Sequence, residues 1–208
     1  MDRKIIVGAS GASGFPLLVK CLELIREAEG FSSELILSDA AELTAGYEMD
    51  NDWNPDRVKA LADKTYVIND VGAAPASGSY KTAGMLVVPC SMKTLAGIHS
   101  GYAENLLLRA ADVTIKEQRE LVLAVRESPL SPIHLRNMYE LSMIRGVHIV
   151  PPMMTFYNRP ESIEEMTYHI AAKLVEPFGI EAPLYKRWKT EDWHDNKTSE
   201  HRIYMGGR

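Results

Sequence analysis

The sequence predicts an open, doubly wound α/β domain, a three-layer arrangement with a parallel sheet of the Rossmann or flavodoxin-like kind. Two observations carry that prediction. Short apolar runs of strand length alternate with amphipathic stretches of helix length. Two of the runs, Met85–Pro89 and Leu121–Val125, are apolar throughout, as strands buried on both faces must be. This alternation requires right-handed crossovers and helices on both faces of the sheet. Ligands then bind beyond the carboxyl ends of the strands.

Taken in order, Lys4–Val7 is the first expected strand, followed directly by GASGASG at Gly8–Gly14. A helix is expected from Phe15 to Ala28, its apolar stripe formed by Leu17, Leu18, Cys21, Leu22, Leu24 and Ile25. Glu34–Leu37 is the next strand. Ser38 and Asp39 then read as N-cap and first-turn acid of a helix reaching Tyr47 or Glu48. Pro55–Asp63 is a further helix and Tyr66–Ile68 a short strand. Gly72–Gly84, rich in Gly, Ala, Ser and Pro, is the longest loop. Beyond Met85–Pro89, helices are expected to start at Ser91 and near Ala103, the second running to Arg119. After Leu121–Val125 come a helix over Pro132–Ile144, a strand over Val147–Val150 and a last helix over Pro160–Phe178. The domain is expected to span residues 1–183. Residues 184–208, charged and aromatic without an apolar period, read as a tail that is flexible or packed on a neighbouring subunit.

With 208 residues the chain suits one domain with a real core. Its 46% hydrophobic and 25% charged content exclude extensive disorder. No apolar stretch approaches the roughly 20 residues of a membrane span. A net charge of −5 argues against nucleic acid as a partner. Two cysteines cannot build a disulfide framework, and no signal peptide is apparent at MDRKIIVGAS, so a mature cytoplasmic protein is expected.

Candidate chemistry clusters after the strands. In GASGASG, three glycines permit close backbone approach to a ligand, and Ser10 and Ser13 place hydroxyls at a helix N-terminus. The spacing is neither a dinucleotide fingerprint nor a Walker loop, so a packed strand-to-helix turn is nearly as good a reading. PCSMKTLAGI brings Ser91, Met92, Lys93 and Thr94 to the start of another helix, which suits an anion or plain capping. Cys90 reads as a small core residue. Arg126 and Glu127 can divide anion binding and proton transfer, or pair with each other. Arg109 and Lys116 share a helix face with Asp112, as in an ion-pair ladder. Tyr157 and Arg159 follow the last strand. Glu48, on a helix end facing the same edge, would by default be solvated. The six histidines show no ligand spacing, so no metal is expected.

As an ordered set, GASGASG, SDAAEL, PASGSY, VVPCSMKTLAGI, RAADVTIKE, VRESPLSPIHLRNM and VPPMMTFYNRP resemble the flavin prenyltransferases over about residues 4–188. That family includes the UbiX and Pad1 proteins and the B subunits of hydroxyarylic acid decarboxylases. The resemblance implies a metal-free homo-oligomer, a dodecamer of trimers with sites at subunit interfaces. It implies transfer of a dimethylallyl group from dimethylallyl phosphate to N5 and C6 of reduced FMN, giving prenylated FMN for a UbiD-type decarboxylase. FMN contacts would fall on Gly11, Ala12, Ser13, Ser38, Ser91, Met92, Lys93, Thr94 and Arg126. Donor contacts would fall on Arg109, Lys116, Arg126, Glu127, Tyr157 and Lys173. The catalytic set would be Ser13 and Glu48 for the N5 proton, Glu127 for the C6 proton, and Lys116 and Arg126 for the leaving phosphate. Two positions differ from relatives: Val71 stands where some carry Trp, and Lys173 where several carry Arg. The competing expectations are a non-catalytic FMN-binding subunit of a decarboxylase complex, and a flavoenzyme like phosphopantothenoylcysteine decarboxylase. PCSMKTL disfavours the latter.

Overall fold

A computed structural model describes residues 2–49 and 54–188. Its six strands are β1 (Arg3–Ala9), β2 (Phe31–Leu37), β3 (Lys64–Tyr66), β4 (Gly84–Cys90), β5 (Glu120–Val125) and β6 (Val147–Ile149). All neighbours pair in parallel, in the order β3-β2-β1-β4-β5-β6. The helices are α1 (Phe15–Glu27), α2 (Asp39–Glu48), α3 (Pro55–Lys59), α4 (Met92–Ser100), α5 (Leu106–Lys116), α6 (Pro132–Ser142) and α7 (Ile163–Val175).

The pleat divides the core. Ile5, Val7, Leu86, Val88 and Val122 face α1 and α7, while Ile6, Met85, Val87, Leu121 and Leu123 face α4 and α5. Every residue of β4 is buried, which is why its sequence carries no alternation. The expected α1 stripe is buried in full. The winding reverses between β1 and β4, so a crevice opens beyond their carboxyl ends.

Several boundaries differ from expectation. The edge strand β3 pairs over Lys64–Tyr66 rather than Tyr66–Ile68, and α3 stops at Lys59. The Asp63 carboxylate and N–H instead tie the turn back to Ser33. Asn105 caps α5, moving its start past Ala103, and Gln118 at φ 55 ends it before Arg119. Ser162 caps α7, and Glu176–Phe178 is a separate 3-10 turn.

Residues 184–188 lie on their own chain. The Leu184 N–H donates to the Tyr168 hydroxyl at 3.1 Å, and Tyr185 packs on His169 with centroids 4.6 Å apart. Residues 189–208, the rest of that tail, lie outside the described residues. Among the described residues no helix is long and apolar enough to cross a membrane.

Candidate functional site

Three helices begin where β1, β2 and β4 end, and small polar residues join them. The Ser10 hydroxyl is 3.1 Å from the Pro89 carbonyl and 3.2 Å from the Ser91 hydroxyl, and it accepts the Ser91 N–H at 2.8 Å. Ser91 caps α4, its hydroxyl accepting the Thr94 N–H at 3.3 Å and lying 3.2 Å from the Thr94 hydroxyl. Ser38 caps α2 by accepting the Ala41 N–H. A Cβ on Gly11 would come within 2.5 Å of the Ala40 Cβ, so only glycine lets the β1–α1 loop lie against the start of α2. Alongside runs a groove of about 380 Å³ lined by Ser38, Asp39, Ile68, Lys93, Glu104 and Asn105.

The N-terminus of α1 is already occupied by a carboxylate of the chain itself. Glu48, the last residue of α2, accepts the Gly14 N–H at 2.9 Å and the Phe15 N–H at 2.8 Å. A negative charge is favourable there, where backbone donors lack helical partners. The default reading of Glu48 as a solvated side chain is therefore corrected. Ser13, two residues before Phe15, is exposed, and its hydroxyl has no hydrogen bond among the described residues. Of the two loop serines it is Ser10 that joins β1 to α4.

Arg126 and Glu127 follow β5 at the same edge, both exposed. The Glu127 carboxylate accepts the Ser128 N–H at 2.9 Å, and no carboxylate lies within 4.0 Å of the Arg126 guanidinium among the described residues. The alternative of an Arg126–Glu127 ion pair is thereby corrected. Cys90 is fully buried, and desolvation pushes its thiol up to about 12, in keeping with a core residue.

The remaining candidates lie elsewhere in the chain. A crossover helix returns from the carboxyl to the amino edge of the sheet, and Lys116 and Lys173 sit in the last turns of α5 and α7. Lys116 lies beside Gly78, in the loop before β4. Arg119 fastens that loop through the Gly78 and Tyr80 carbonyls at 2.7 and 2.8 Å. Phe178, just after α7, meets Gly84 at the start of β4. A strand the length of β4 spans roughly 20 Å, so these lysines are far from Arg126 in the same chain. One chain thus divides the candidate cations between the two edges of the sheet, Arg126 at the carboxyl edge and Lys116 and Lys173 at the amino edge. Arg109 pairs with Asp112 at 2.8 Å, one rung of the expected ladder, whereas Lys116 turns to Glu117 at 2.5 Å. Tyr157 stands edge-on to His169 and Trp188, with centroids 6.1 and 5.1 Å apart. Among the described residues, no group of three or more His, Cys, Asp or Glu is placed to hold a metal ion.

Comparison with known proteins agrees with this architecture. The profile of the Flavoprotein family matches residues 1–175. A probable UbiX-like flavin prenyltransferase of Streptomyces sp. (strain D7) is 48% identical over 185 residues, covering 89% of this chain and 91% of its own. The crystal structure of AnUbiX (PadA1) in complex with FMN and dimethylallyl pyrophosphate matches with a TM-score of 0.87 at 43% identity. That match covers 91% of this chain and 99% of that one. A dodecameric FMN-dependent UbiX-like decarboxylase from Escherichia coli O157:H7 matches at 0.86 and 47% identity, covering 90% and 100%.

Proposed function

Since the chain belongs to the Flavoprotein family, and within it to the UbiX-like flavin prenyltransferases, we infer that it moves a dimethylallyl group from a dimethylallyl phosphate ester to reduced FMN. The product would serve a UbiD-type decarboxylase. The observation that supports the reading is the crevice at the β1/β4 switch point, where donor groups converge beside the Arg126 guanidinium, which has no carboxylate within 4.0 Å among the described residues.

The residues present fit FMN. Gly11 lets the first loop lie against Ala40 at the start of α2, which brings the β1 and β2 ends together on one side of the crevice. Ser38, Ser91, Lys93 and Thr94 supply hydroxyl, ammonium and helix-start N–H donors suited to a phosphate ester. The α1 N-terminus is excluded as the anion site because Glu48 fills it. When bound and reduced, the flavin supplies the electron-rich ring that takes the allyl carbon.

The chain's own groups then act on charge and protons. Arg126 presents a two-pronged donor to the departing phosphate, stabilising the charge that develops as the allylic C–O bond ionises. Glu127 beside it takes a proton from the acceptor carbon. Ser13 and Glu48 stand by the β1 loop as candidates for the acceptor nitrogen's proton, with Ser10 and Met92 framing the same crevice. Arg109, Lys116, Tyr157 and Lys173 complete the donor site from a neighbouring copy. The dodecameric relative supports such an interface. The two unpaired cysteines fit a cytoplasmic home.

The test is incubation with FMN, a reductant and either dimethylallyl phosphate or the pyrophosphate, followed by the mass of the released flavin. A gain of one dimethylallyl group is expected, and the more effective donor identifies the ester. Flavin recovered unchanged with both donors would leave only a flavin-binding role.

A further inference from the structure

Among the described residues, the cations assigned to the donor phosphate other than Arg126 each hold a carboxylate. Arg109 holds Asp112, Lys116 holds Glu117 at 2.5 Å, and Lys173 holds Glu176 at 2.5 Å. Each partner is an acid from the same short stretch of chain. The Lys116 pair is the most specifically built of the three. Successive residues within a helix do not face one another. Here Glu117 has left α5, with φ −88 and ψ 4, and Gln118 at φ 55 turns the chain away, so its carboxylate swings back to Lys116. The loop before β4 makes room for the pair. A Cβ on Gly78 would collide with the Glu117 carboxylate and come within 2.6 Å of the Lys116 nitrogen. That loop is fixed by Arg119 and by Tyr80, whose hydroxyl bonds the buried Glu34 carboxylate at 2.5 Å and accepts from Lys4 at 2.8 Å.

We propose that Glu117 is the resting counter-ion of the donor-phosphate lysine, displaced when the ester's phosphate binds to Lys116 and restored as inorganic phosphate leaves. This rests on the reading that Lys116 faces the donor phosphate. Carboxylate and phosphate compete for one ammonium, so Glu117 weakens the grip on both donor and product and favours release after transfer. It is a positioning residue, since it acts through Lys116. The Lys116 hydrogen bond holds the Glu117 carboxyl below its ordinary range, so the pair is formed at neutral pH.

The experiment measures inhibition of prenyl transfer by inorganic phosphate in the full-length protein, alongside the donor KM. Wild type, Glu117→Gln, Lys116→Met and the double variant are compared, with thermal unfolding as the control for folding. Glu117→Gln is expected to tighten phosphate inhibition about fivefold, the scale of losing one exposed ionic competitor, and to lower the donor KM similarly. The effect must vanish in the Lys116→Met background. Gly78→Ala, which displaces the pair without removing a charge, is expected to alter phosphate inhibition as well. An unchanged inhibition constant in Glu117→Gln, with Lys116→Met raising the donor KM, overturns the proposal and leaves the site reading standing. A donor KM unchanged in Lys116→Met overturns both.

Discussion

A single chain cannot bring Lys116 and Arg126 to one ester. Lys116 ends α5 at the amino edge of the sheet, and Arg126 follows β5 at the carboxyl edge. Strands of six or seven residues separate the edges by roughly 20 Å, several times the reach of a lysine side chain. Two variants, Lys116→Ala and Arg126→Ala, should each keep only a small fraction of wild-type activity as homo-oligomers while keeping wild-type thermal unfolding, since both side chains are exposed. Co-expressed in equal amounts, they should recover activity. Half the carboxyl-edge half-sites carry an intact Arg126, and half the amino-edge half-sites facing them carry an intact Lys116. About a quarter of the composite sites are therefore complete in a randomly mixed assembly. The readout is dimethyl-allylated flavin per particle, with mass spectrometry confirming mixed particles. If mixed particles form and stay as inactive as either parent, the division of the site between copies is wrong.

Three further outcomes follow from the same geometry. Glu48→Gln removes the charge that caps α1 and puts an amide NH2, itself a donor, where an oxygen now lies 3.1 Å from the Gly14 N–H, so it should cost about 1–2 kcal/mol. For a chain this size that lowers Tm by roughly 2–8 °C, and an unchanged Tm would mean the cap is not formed in solution. Cys90, with a buried thiol near 12, should resist iodoacetamide in the native protein at pH 7.5 and at pH 9 alike. Modification of Cys90 in folded protein at pH 9 as fast as in the unfolded chain would contradict its placement. Burial, then the charge of Lys186, holds His169 below its ordinary 6.5. The unfolded chain binds that proton more readily, so stability should fall as pH drops below about 6.5, and His169→Phe should flatten that part of the Tm profile.

The central sheet was readable because its strands are buried on both faces: β4 and β5 are runs of apolar residues with nothing to imitate them. The edge strand β3 was misplaced by two residues because Lys64 and Thr65 are exposed and pair on one side only. Caps were legible where the side chain is its own signal, as at Ser38 and Ser91. Asn105 sits inside AENLLL, where the helical pattern already begins near Ala103 and hides the cap. At the site, turn chemistry pointed to the strand ends but could not choose between Ser10 and Ser13 in GASGASG. The strand's alternation offered a clue, since Ser10 directly continues β1 and stays buried. The separation of Lys116 from Arg126 follows from the direction of a crossover helix. Helical periodicity reports a shared face and says nothing of which end of the sheet a residue reaches.

The helix starts gathered at one edge of the sheet and the lysines at the far ends of α5 and α7 give the chain two unlike edges. Neighbours whose unlike edges meet associate head to tail, a heterologous contact that either closes into a ring or runs on as a filament. Under the proposed sharing of the site, the rotation between copies would govern turnover, because a slightly altered angle at the contact would leave every subunit folded and every shared crevice open.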